Sequence, residues 1–74
     1  MNTLANLKIG ERGRVLAVHG NDEVAMRLME MGVTPGVELQ LMGAALLGDP
    51  LELELRGYRL SMRKAEAARI EIVS

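Results

Sequence analysis

The segment Leu51-Glu52-Leu53-Glu54-Leu55 constrains this chain more than any other. Strict alternation of leucine and glutamate makes sense only in an extended strand with one buried and one wetted face, because a helix would scatter the leucines around its circumference. The same period of two recurs in Val37-Glu38-Leu39-Gln40-Leu41, where Val37, Leu39 and Leu41 share a face. It recurs again from Tyr58 to Met62, where Tyr58, Leu60 and Met62 oppose Arg59 and Ser61, with Gly57 marking a tight hairpin before it. Val15 to His19, bounded by Gly13 and Gly20, reads as a further strand buried on much of both faces, and Ile70-Glu71-Ile72 as a last short one.

One amphipathic helix interrupts the strands. Asn21 is a suitable N-cap, and Asp22 and Glu23 place negative charge in the first turn, where the helix dipole favours it. Over 22–31, Val24, Ala25, Leu28, Met29 and Met31 fall within an arc of about 160° and face inward, while Met26 falls outside it. Gly32 closes the helix, and Thr34-Pro35-Gly36-Val37 reads as a type II turn. Short helical turns are expected after Thr3 and over 64–68. About five short strands around one helix call for a small, mainly β antiparallel barrel, since closure removes edges that a small sheet could not cover. A chain of 74 residues cannot divide its core, so 1–74 is expected to be one domain.

Composition excludes most chemistry. There is no cysteine and a single histidine, His19, so neither a thiolate site nor a multi-histidine zinc site can form within one chain. The hydroxyls are Thr3, Thr34, Tyr58, Ser61 and Ser74, and a Ser61–His19 couple would be the sole catalytic arrangement to consider; a surface serine and a strand-end histidine is the simpler reading, and no enzyme is expected. Asp49, Glu38, Glu52 and Glu54 could offer oxygen ligands beside His19, but their spacing matches no closed loop, which leaves adventitious binding at His19 and no cofactor. No phosphate-binding glycine motif occurs. A net charge of −1 and one aromatic residue argue against nucleic acid, and no apolar run approaches the roughly 20 residues of a membrane span. The N-terminus lacks a signal-peptide pattern, so a cytoplasmic protein is expected, reaching a membrane only through a partner.

The connection from Gly43 to Pro50 is anomalous. A loop of that length should be polar, yet it reads Gly-Ala-Ala-Leu-Leu-Gly-Asp-Pro and leaves Leu46 and Leu47 near its tip. Either the loop folds back as a lid on the barrel mouth, or Ala45, Leu46 and Leu47 meet a protein partner. Met26 on the helix and Arg59, which shares an outward stripe with Arg63, are further candidates for that contact, and self-association stays open.

The spacing Leu4-x-x-Leu7-x-x-Gly10-Glu11-x-Gly13-x-Val15, the stretch Arg27 to Val37, the segment Leu47-Gly48-Asp49-Pro50-Leu51, and Leu60-Ser61-Met62-Arg63 with Glu66-Ala67-x-x-Ile70 together resemble the FeoA domain over nearly the whole chain. The resemblance implies a small cytoplasmic SH3-like barrel that accompanies the bacterial ferrous-iron permease, a membrane protein with a cytoplasmic GTP-binding domain. It implies a role in ferrous-iron uptake by docking onto that GTP-binding part. Members often carry proline where this chain has Leu46, so the loop here is less rigid and more apolar. The same domain forms the C-terminal regulatory module of iron- or manganese-dependent repressors, which is the alternative reading. A chain beginning at Met1 without a helix-turn-helix segment favours the transport accessory, and a nucleic-acid-binding barrel is the third reading.

Overall fold

The hairpin at Gly57 sets the register of half the sheet. In the computed structural model, which describes residues 2–73, Arg56 and Gly57 both have positive φ (50° and 84°), the tight two-residue turn whose twist matches that of its flanking strands. Glycine takes the second of these positions without the steric cost a Cβ would bring. Strands β3 (Leu51–Leu55) and β4 (Tyr58–Met62) therefore pair Leu55 with Tyr58, Leu53 with Leu60 and Leu51 with Met62. Both strands match the expected bounds.

Strand β2 (Glu38–Ala44) pairs antiparallel with β3, with a bulge between Leu41 and Gly43. It runs further than the alternation suggested, because Gly43 and Ala44 continue the ladder to Leu51. Strand β1 (Arg12–Val18) pairs with β2 on one side and with β5 (Ile70–Val73) on the other, giving an all-antiparallel order β4-β3-β2-β1-β5. Here two expectations need correction. β1 starts before Gly13, which lies inside the strand: a Cβ there would sit 2.6 Å from Ile72 Cδ1, so the glycine admits close approach of β5. The strand also has one buried face only, since Val15 is buried while Leu16 is exposed.

The expected barrel closes through a helix. The end strands β4 and β5 do not pair with each other; α1 (Glu23–Glu30) spans the gap. At its C-terminal end the Tyr58 hydroxyl donates to the Met31 carbonyl, and at its N-terminal end Arg69, which precedes β5, donates to Asp22 at 2.6 Å. Asp22, rather than Asn21, is the N-cap, its carboxylate accepting from Ala25 N–H at 3.2 Å. Leu28 and Ala25 are buried and Val24 and Met31 pack against the core, but Met29, assigned to the inner face, is exposed. The helix stops as expected: Gly32 takes positive φ, and Val37 N–H reaches Thr34 O at 3.1 Å across the turn that follows. A second, one-turn helix, α2 (Lys64–Ala67), leads into β5.

The core that fixes these elements is drawn from every one of them: Leu4, Val15, Leu28, Val33, Leu39, Leu53, Leu55, Met62, Ala67 and Ile70 are all essentially without solvent contact. Among the described residues no polar or charged side chain joins them. The N-terminal segment covers the outer edge of β5, with Thr3 bridging to Glu71 and Ile72 N–H donating to Asn2 O at 2.9 Å. Ser74, one of the hydroxyl candidates, and Met1 lie outside the described residues.

Candidate functional site

The apolar loop is tied at its base and open at its tip. The pairing of Ala44 with Leu51 closes it, Ala45 N–H donates to Pro50 O and Gly48 N–H to Ala45 O, both at 2.9 Å, and Asp49 Oδ1 accepts from Lys64 N–H of α2 at 2.9 Å. Between these anchors Leu46–Gly48 makes a single 3₁₀ turn. Leu47 within it has φ 68° and ψ 13°, the left-handed region that a bulky L-residue rarely occupies. Both leucine side chains point outward from this turn: Leu46 is 89% exposed and Leu47 99% exposed. The leucines do not form a lid. Burying them would have stabilised the fold by roughly 1.5–3 kcal/mol each, and the domain forgoes that gain. Ala45 is half-buried at the base of the turn.

Met26 is 60% exposed on α1, and Met29, one turn later, extends the same outer face. Arg59 is exposed on β4 opposite Glu54 of β3, and it forms no ion pair among the described residues. Arg63 does not continue its outward stripe, because β4 ends at Met62 and Arg63 is the N-cap residue of α2, its N–H donating to Glu66 Oε1 at 3.1 Å. The other carboxylate oxygen of Glu66 takes the Arg27 guanidinium, which joins α1 to α2.

One feature escaped sequence reasoning. A groove of about 430 Å³ runs between α1 and β4, lined by Arg27, Met31, Pro50, Ser61, Met62, Arg63 and Glu66. It joins the base of the loop, through Pro50, to the helix and to the strand that carries Arg59. Its lining comes from four separated segments and includes none of Ala45, Leu46, Leu47, Met26 and Arg59, which the structure does not gather into one site.

His19 lies at the other end of the sheet. Its Nε2 is 2.9 Å from Glu71 Oε1, and Ser61 belongs to β4, which is not a neighbour of β1, so the imagined catalytic couple is not assembled. Among the described residues no group of three or more His, Asp or Glu side chains is placed to hold a metal ion, and Glu38, Asp49, Glu52 and Glu54 do not converge on His19. Nearby, the hydrogen bond from Arg69, reinforced by Ala25 N–H, holds the Asp22 carboxyl below the ordinary aspartate range.

A family model for the FeoA domain matches residues 2–74. The chain belongs to the FeoA domain family. It is 30% identical over 69 residues to the Fe(2+) transport protein A/Fe(2+) transporter FeoB fusion protein of Porphyromonas gingivalis, covering 93% of this chain but 8% of that protein. The chain therefore spans a small part of that relative's length. The FeoA-like protein of Clostridium acetobutylicum superposes with a TM-score of 0.89 at 37% identity, covering 96% of this chain and 83% of the other. The FeoA of Stenotrophomonas maltophilia, a prokaryotic SH3 domain protein complexed with zinc, superposes with a TM-score of 0.86 at 30% identity over 99% and 91% of the two chains. The expected SH3-like architecture is thereby established. The manganese regulator SloR, at 21% identity with a TM-score of 0.80 over 96% of this chain and 33% of its own, shares the fold alone. No helix among the described residues is long and apolar enough to cross a membrane.

Proposed function

We propose that this FeoA domain is a non-enzymatic, cytoplasmic accessory of ferrous-iron uptake that docks onto the GTP-binding part of the ferrous-iron permease. The observation that carries the reading is the loop: two leucines held almost fully in solvent, on a hydrogen-bonded base, with left-handed backbone at Leu47. Exposed aliphatic side chains on a stiff support suit insertion into a partner's apolar groove, because little ordering entropy remains to be lost on binding. Fusion of the same domain to FeoB in the P. gingivalis protein supports the permease as that partner. Arg59 would act at the rim, where charge influences encounter more than residence. Iron is the cargo in this reading, and the domain contributes surface rather than ligands.

Co-purification tests it. The Leu46→Asp/Leu47→Asp variant should retain its circular dichroism spectrum, because neither side chain touches the core, yet fail to co-purify with the permease. A folded double variant that still binds with unchanged affinity would place the interface elsewhere.

A further inference from the structure

The two edges of the sheet are treated differently. The outer edge of β5 is taken by the chain's own N-terminal segment through Thr3 and Asn2, whereas β4 ends the sheet on the other side with nothing paired to it among the described residues. Because a two-residue turn makes Leu55 and Tyr58 a hydrogen-bonded pair, alternation along the antiparallel ladder turns the N–H and C=O groups of Tyr58, Leu60 and Met62 toward β3. Those of Arg59 and Ser61 point away from the sheet, and Ser61 also lines the groove toward α1. An unpaired edge next to a groove is a template for an added strand.

We propose that the β4 edge receives an extended, acidic segment of a protein partner as an additional strand. Backbone groups of Arg59 and Ser61 would supply the ladder bonds, and Met31, Pro50 and Met62 would form the pocket for an apolar side chain of the incoming segment. Charge selects an acidic segment: Arg59 and Arg63 are exposed and in no ion pair among the described residues, and Glu66 is already engaged by Arg27. A second copy of this chain fits poorly. Its β5 edge is covered, and pairing of two β4 edges would bring like-charged Arg59 and Arg63 side chains of both copies together. This surface lies beside the leucine loop but does not depend on what the loop binds.

The test uses the full chain, ¹⁵N-labelled, and a fluorescein-labelled synthetic hexapeptide of alternating glutamate and valine or leucine, with a lysine-for-glutamate version as control. The acidic peptide should bind, slow amide exchange at Arg59 and Ser61 relative to the other exposed amides, and lose affinity about tenfold or more in the Arg59→Glu/Arg63→Glu variant. Arg59→Glu alone, away from the α2 cap, serves should the double variant unfold, and should weaken binding several-fold. Equal binding of both peptides, binding that leaves the edge amides unprotected, no binding, or concentration-dependent protection of the edge without peptide would each overturn the proposal, the last in favour of self-pairing.

Discussion

Replacing Leu47 by glycine should stabilise this protein. At φ 68° the leucine sits where its Cβ crowds the backbone, at a cost of about 1–2 kcal/mol. With the side chain 99% exposed, removing it sacrifices no burial. Glycine relieves the strain but loses about 0.5–1 kcal/mol more backbone entropy on folding, so the net gain lies between about 0 and 1.5 kcal/mol, with a central value of about 0.75 kcal/mol. For a domain of this size the central value corresponds to a rise of about 3–6 °C in Tm. Thermal and urea unfolding followed by circular dichroism would read it, and Leu47→Val, with branching at Cβ in the same backbone region, should move the midpoint the opposite way. A Leu47→Gly protein less stable than the parent would refute the reasoning, because it would mean that the side chain packs somewhere or that the backbone at this position is not left-handed. If the prediction holds, the domain keeps a destabilising residue at an almost fully exposed position, which structure alone does not require.

Leu28→Ala should cost roughly 2–5 kcal/mol in denaturant unfolding, because Leu28 is fully buried and joins α1 to the sheet; a loss below about 0.5 kcal/mol would contradict that packing. Asp22 is held below its ordinary pKa in the folded state, so its contribution is fully present above the ordinary aspartate value of 3.8 and disappears as pH falls through the lowered one. Asp22→Asn keeps a capping oxygen but not the charge toward Arg69, and should therefore lower the urea midpoint at pH 7 while leaving stability less sensitive to acid than in the parent. Anaerobic titration should find no tight one-to-one ferrous binding by the isolated domain, and micromolar binding abolished by His19→Ala would show that a ligand set forms around that residue.

The parts of the fold that were legible in the sequence are those determined by local pattern. The alternation in β3 and β4 and the turn at Gly57 fixed both strands to the residue, because side-chain period and turn conformation are properties of the segment itself. The helix was legible for the same reason, but its cap slipped by one position because Asn21 and Asp22 cap equally well in isolation, and the hydrogen bond from Arg69, far along the chain, reinforces the second. Gly13 looked like a strand boundary because glycine usually breaks pattern; its place inside β1 depends on the approach of Ile72, a tertiary fact. The leucine loop was legible as a mismatch with solvent. Whether it would cover the barrel or project from it turned on the backbone at Leu47, which no pattern of residue types specifies. The groove was not legible at all, since Arg27, Pro50, Ser61 and Glu66 meet only when α1 bridges the ends of the sheet.

Photo-crosslinking from position 47 tests the docking claim most directly. A benzoylphenylalanine at Leu47 replaces an almost fully exposed side chain, and the control position, Glu38, is an exposed residue at the opposite end of β2, about 20 Å from Ala44. Irradiation in the presence of the permease should give a crosslinked product from position 47 whose peptide map falls in the GTP-binding part, with little or none from position 38. Crosslinking from position 38 but not 47, or crosslinks from 47 confined to other copies of the domain, would contradict the account.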